Sequence, residues 1–272
     1  MGYVRISAIS FLNTAPLMWD FEHGPPRAGF EVRYTVPAQC AEQLRTGAAD
    51  VGIIPVIAYE TIPDLAIIPG VSISARRSVR SILLVAKKPI EEVETVAADT
   101  SSRTSVALAR VLFAKWWGGQ RHFHAMQPDL DAMLAACDAA LLIGDPALTV
   151  DRSRHLTYDL AEEWNRFTGK PAVFAFWAVR AEAAQPELAR VFQQSRDHGL
   201  EPENVQVLAR EWAPRVGISE REVASYLTEN IDYAFDAEHR EGLELFYRHA
   251  VDCGVIAAIR PLVFLGQKVA AG

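Results

Sequence analysis

The chain is 272 residues long, 50% hydrophobic and 22% charged, with 27 basic against 34 acidic side chains for a net charge of −7. That apolar content can bury a sizeable core and excludes a disordered chain, while the lack of any Lys/Arg-rich block argues against nucleic acid as a partner. A membrane span is not expected either, because the longest apolar runs, residues 51–59 and 172–179, fall far short of the ~18 residues required.

Along the chain, residues 4–9 (VRISAI) alternate with period two and predict a strand, and residues 31–36 predict a second. Pro37 follows, and residues 39–46 place Cys40, Ala41 and Leu44 on one helical face before Gly47, a residue type favoured just past a helix end. Short β-branched runs at 51–54 and 65–68 are expected to close at Pro55 and Pro69, and SILLVA (81–86) predicts a further strand. A second set of units then begins. It comprises a strand at 93–98, a helix opened by residues 99–105 and running to Trp117, a helix at 129–137 and a buried strand at 139–143. Residues 159–168 predict a helix stopped by Gly169, and 172–179 one more apolar strand. Past residue 182 the pattern is helical only. One helix runs from Pro186 to Gly199, one covers 201–213, one runs from the Ser219–Glu222 capping box to Phe235, and one covers 237–253. Residues 259–265 fit either a helix end or an edge strand.

Strands alternating with helices predict a mostly parallel α/β sheet covered on both faces. Two such sets followed by a helical tail predict two lobes, with residues 1–86 plus 178–272 as lobe one, residues 87–177 as lobe two, and the tail packed on lobe one. A cleft between the lobes is then the expected ligand site, although a single larger sheet fits the same order.

Candidate chemistry lies in polar residues that directly follow apolar strands. Asn13 can donate and accept hydrogen bonds in a cleft, or cap a turn ahead of Pro16. DTSSRTS (99–105) is the densest polar cluster, with five hydroxyls and Arg103 at a helix start. Such a start suits a carboxylate or phosphate, whereas capping alone needs one or two of these residues. With no Gly-rich loop or Lys beside it, the cluster is not a nucleotide P-loop. Arg80 and Ser81 stand at a strand start near the expected crossing, where either can face the cleft, while Arg76 and Arg77 read as a solvated basic turn. Asp145 follows a buried strand and Gly144, and can hold a hydroxyl or cap the helix that begins at Pro146.

His122 and His124 are one strand repeat apart without acidic or Cys partners at metal spacing, which fits an exposed edge. Neither G-x-S-x-G nor H-E-x-x-H occurs, so hydrolase and metalloenzyme readings lack a motif, and no metal is expected. Trp116 and Trp117 read as filling core or lobe interfaces. Cys40, Cys137 and Cys253 are scattered and read as reduced thiols. With no long apolar stretch after Met1, the expected compartment is the cytoplasm.

The segments FLNTAPL (11–17), CAEQLRTGAADVGIIPV (40–56), VRSILLV (79–85), DTSSRTSVAL (99–108) and LLIGDPAL (141–148) resemble, in this order and spacing, the chorismate dehydratase family. The resemblance is clearest over residues 3–180. It implies a periplasmic-binding-protein-like (type II) fold used as a cytoplasmic lyase. It further implies conversion of chorismate to 3-[(1-carboxyvinyl)oxy]benzoate in the futalosine route to menaquinone, without metal or organic cofactor. On this basis Asn13 and Ser81 are the catalytic candidates near the reacting C3/C4 edge. Arg80, Ser102, Arg103, Thr104 and Ser105 are candidate holders of the two substrate carboxylates, and Asp145 is an orienting group. No motif supplies an obvious protein base, so the substrate's own side-chain carboxylate is the expected proton acceptor, with orientation supplying most of the rate. Two other readings fit the same fold. One is the sister enzyme of the route that forms dihydroxynaphthoate; the other is a non-catalytic small-acid binding or sensor protein, expected to carry a leader or a helix-turn-helix extension. A monomer and a homodimer are both compatible with the sequence.

Overall fold

The computed structural model describes residues 3–25 and 29–267; residues 1–2, 26–28 and 268–272 of the expected lobe one lie outside them. The chain opens with β1 (Val4–Ile9), a 3-10 segment (Leu12–Met18), α1 (Trp19–Glu22), β2 (Phe30–Thr35), α2 (Pro37–Thr46), β3 (Val51–Pro55), α3 (Val56–Tyr59) and β4 (Leu65–Ala75). It continues with β5 (Ile82–Ala86), β6 (Thr95–Asp99), α4 (Thr104–Leu112) extended by a π turn to Trp117, and β7 (His122–Met126). Next come α5 (Leu130–Ala136), β8 (Ala139–Ile143), α6 (Asp145–Leu148), β9 (Leu156–Asp159), α7 (Leu160–Thr168) and β10 (Ala172–Arg180). The tail holds α8 (Glu187–Gly199), α9 (Pro202–Val216), α10 (Glu220–Ser225) with a π turn to Asn230, and α11 (Ala237–Asp252).

The strands form two five-stranded sheets, ordered β2-β1-β3-β10-β4 and β7-β6-β8-β5-β9. Their central strands β3 and β8 are buried throughout, as strands covered on both faces must be. The expectation of mostly parallel sheets fails at β10 and β5, each of which pairs antiparallel with both of its neighbours. Each of these two strands arrives from the other sheet, so it is not the second strand of a β-α-β unit with either neighbour and nothing imposes a parallel direction. Sheet membership also changes earlier than the expected boundaries at 86 and 177, because β5 already lies in the second sheet and β10 already in the first. Apolar runs identify strands, but only pairing decides which sheet receives them.

Pro69 does not end its strand. β4 continues through Pro69 and Gly70 as a bulge between the Ile67 and Ser72 pairings, at the sheet edge where proline is tolerated. Gln193 donates to the Pro69 carbonyl at 2.7 Å, and Arg196 donates to that of Gly70. The tail covers the rest of this edge. The helix expected to reach Phe235 instead gives way after Asn230, and Asp232 pairs with Ser74 of β4. Residues 259–265 are irregular, with Phe264 bridging to Ile67. His122 and His124 are exposed on the edge strand β7, as their spacing suggested. Trp116 and Trp117 both donate to the Glu163 carboxylate, at 3.0 and 3.2 Å, and Trp116 remains 43% exposed.

The tail packs mainly on the first sheet. α8 lies against the 3-10 segment and β4, and α11 lies against β10 and α4. A Cβ on Gly199 of α8 would meet the Pro16 carbonyl oxygen at 2.1 Å, so only glycine allows this helix so close to the segment carrying Asn13. One apolar cluster runs through both sheets, from Ile6 and Val51 to Leu84 and Val96, and a smaller one covers the far face of the second sheet around Leu83, Leu142 and Met133. Among the described residues no helix is long and apolar enough to cross a membrane.

Candidate functional site

A cavity lies between the two sheets. It opens past the C-terminal ends of the parallel strands β1, β3, β6 and β8, marked by Ile9, Pro55, Ser102 and Ile143 in its lining. Crevices at such strand ends are where open α/β sheets bind ligands. Phe11, Ile73, Ile82 and Phe174 make its wall largely apolar. Asn13 and Ser102, Arg103, Thr104 and Ser105 supply the polar groups. Among the described lining residues, Arg103 is the one charged side chain.

The polar wall follows from local chain chemistry. The Asp99 carboxylate accepts from the backbone N–H of Ser101 at 2.8 Å and from its hydroxyl at 2.7 Å, folding the loop back before α4 begins. No side chain caps α4, so the positive end of its dipole and the residues around its first turn face the cavity. Ser102 and Ser105 are nearly buried, whereas Arg103 is exposed and places its charge near Glu42 of α2. Thr104 is partly committed elsewhere, since its hydroxyl accepts the Ile57 N–H of α3 at 3.4 Å and ties the two halves together.

Asn13 lies inside the 3-10 segment and caps no helix; its side-chain oxygen accepts the Thr14 hydroxyl at 3.3 Å. Facing it, Asp145 does not cap its own helix, and instead accepts the Leu12 N–H at 2.9 Å across the cleft. Burial raises its pKa to about 6, and the hydrogen bond from Leu12 works against that rise. Gly144 has φ +65°, and a Cβ there would come within 2.8 Å of the Phe11 ring, so glycine permits the two lobes to meet.

Ser81 is fully buried behind the lining residues Val79 and Ile82. A tight turn delivers it, with the Ser81 N–H bonded to the Val79 carbonyl at 2.7 Å and Arg80 at φ +60° between them. Asp159 holds this turn, accepting from the Ser78 hydroxyl (2.7 Å), the Val79 N–H (3.1 Å) and the Arg80 N–H (2.7 Å). Neither the Arg80 nor the Ser81 side chain is among the lining residues; Arg80 acts on the site through its backbone, and Ser81 stands directly behind the wall. Sequence reasoning missed Tyr226, whose hydroxyl lies 2.7 Å from that of Ser81. No local signal marks it, because a tyrosine on the inner face of a helix reads as core.

The sequence matches the menaquinone biosynthesis family over residues 4–252. The chorismate dehydratase of Thermus thermophilus is 29% identical over 255 residues, covering 87% of this chain and 91% of that protein. Among solved structures, a protein of Archaeoglobus fulgidus superposes with a TM-score of 0.74 at 15% identity, covering 93% of this chain and 98% of that one. The periplasmic aliphatic sulphonate-binding protein SsuA of Escherichia coli gives a TM-score of 0.63 at 18% identity, over 92% of this chain and 94% of that one. The expected periplasmic-binding-protein-like fold is thus the observed one. With a match spanning nearly all of its described length, the chain belongs to the menaquinone biosynthesis family.

Proposed function

We propose that the protein is a lyase that dehydrates chorismate to 3-[(1-carboxyvinyl)oxy]benzoate. The observation that carries this reading is the pairing of an uncapped, hydroxyl-rich helix start with Asn13 across an otherwise apolar cavity, in a chain similar to a chorismate dehydratase. A ring compound with two carboxylates needs such a site: apolar walls for the ring, and hydroxyls, N–H groups and one guanidinium for the anions.

In the reaction the C3–H and C4–O bonds break and a C3–C4 double bond forms, which completes an aromatic ring. Charge released at C3 spreads through the conjugated diene toward the ring carboxylate. Donors preorganised around that carboxylate stabilise the charge as it develops, a role that fits Ser102, Thr104, Ser105 and Arg103. Asn13 and Ser81 are assigned to the C3/C4 edge, and Asp145 to holding the Asn13 segment. The lining supplies no carboxylate or imidazole as a base, which supports the substrate's side-chain carboxylate as the proton acceptor. That proton and the departing hydroxide together make the released water. Holding the carboxylate against C3 is then the main contribution of the site.

Incubating the purified protein with chorismate should bleach the diene absorbance and yield a product lighter by one water. Asn13→Ala and Ser81→Ala should each lower turnover by about 100-fold or more while leaving the unfolding transition in place. Binding of chorismate without conversion would overturn the reading in favour of a small-acid binding protein.

A further inference from the structure

We infer that Tyr226 is a positioning residue for this site: its phenol fixes the Ser81 hydroxyl so that the serine's own proton points toward the departing C4 hydroxyl. The inference rests on the dehydratase reading above and adds to it a residue from the helical tail.

Ser81 has little freedom left apart from its side-chain torsion. Its N–H is bonded to Val79 and its carbonyl accepts the Gly144 N–H at 2.8 Å, so the backbone is set from both sides. A serine hydroxyl carries one proton and can accept two. When Tyr226 donates into Ser81 Oγ at 2.7 Å, it occupies one acceptor direction and turns the serine proton away from itself. Tyr226 is itself fully buried, at the start of the π turn that follows α10, where the widened helix presents the ring inward.

The surroundings keep that phenol a donor. Burial is the largest influence and pushes the Tyr226 pKa up; the contact with Ser81 opposes it, the Asp145 carboxylate reinforces it, and Asn13 and the Arg80 charge oppose it. Tyr233, also buried, is a further titratable neighbour, and its hydroxyl has no hydrogen-bond partner among the described residues. Tyr226 therefore stays protonated near neutral pH and does not serve as the proton acceptor.

Tyr226→Phe removes one oxygen and keeps the ring. Its kcat with chorismate should fall by about 10- to 100-fold, since misplacement of a reacting group costs that much, while KM stays within about threefold. In the Ser81→Ala background the same change should add no further loss, because the tyrosine acts through the serine. A rise in KM with kcat unchanged, or full additivity with Ser81→Ala, would overturn the inference. So would wild-type turnover in Tyr226→Phe when the parent is active. An inactive parent would overturn the dehydratase reading itself. A ring-fluorinated tyrosine installed at 226 keeps shape and hydroxyl while making the phenol more acidic, and serves also if Tyr226→Phe folds poorly. It should bring a loss of turnover at alkaline pH where the parent is flat, and a profile superimposable on the parent would count against the inference.

Discussion

The Asp145 carboxylate sits half-buried against the Leu12 N–H, with its pKa lifted to about 6 from an ordinary 3.8. Between those values the folded state keeps a proton that the unfolded chain has released. Stability therefore declines as pH rises from about 4 to 6, by on the order of 2–3 kcal/mol, and is level above that window as far as this group is concerned. Asp145→Asn keeps an acceptor for Leu12 but cannot ionise, so it should flatten this slope. Urea unfolding at about pH 4.5 and 7.5 measures it, and an unchanged slope in the variant would place the effect elsewhere. At this scale the sequence was informative where a polar residue directly followed an apolar strand, as at Asn13 and 102–105. Tyr226 was hidden because its partner Ser81 lies 145 positions away and helical periodicity records a ring, not its hydroxyl.

Asp159 joins three elements that no sequence pattern links. Besides holding the 78–80 turn, its side chain caps α7 by accepting from the N–H groups of Ala161 and Glu162 at 3.1 and 3.2 Å. Asp159→Ala leaves the turn donors and the helix start without an acceptor inside a buried site. It should cost about 3 kcal/mol or more, and should lower turnover by freeing Ser81. Denaturant unfolding and chorismate kinetics on the same preparation test both halves, and a variant as stable as the parent would show the turn to be self-supporting. Helices and caps were largely legible, since Gly47, Gly169 and the Ser219 box carry their own local chemistry. The bulge at Pro69, the short strand β9 and the shift of 231–234 onto the β4 edge were not, because each is decided by a distant partner's free hydrogen-bonding groups.

At the scale of the molecule, the two sheets are joined by Phe11 against Gly144, Leu12 to Asp145, Ile57 to Thr104 and Tyr226 to Ser81. These contacts ring the cavity, so a ligand placed there touches both halves and stabilises their joined arrangement. At 100 times its dissociation constant, the substrate-like dicarboxylate should add about 2.7 kcal/mol to unfolding, read as a shifted denaturant midpoint. The net charge of −7 does not oppose this, because the anion meets a helix start and Arg103 locally and not the averaged surface.

The place of β10 also has a consequence for the order in which the molecule is made. All five strands of the second sheet lie between Ile82 and Asp159, whereas the first sheet has β10 inserted between β3 and β4. During synthesis, the half that begins later in the chain can close its sheet first. The opening half must wait, with β3 and β4 unjoined, until residues 172–180 have left the ribosome. A pause in translation shortly before that strand would leave two apolar edges open at once, and this is where a nascent chain of this kind is most dependent on a chaperone.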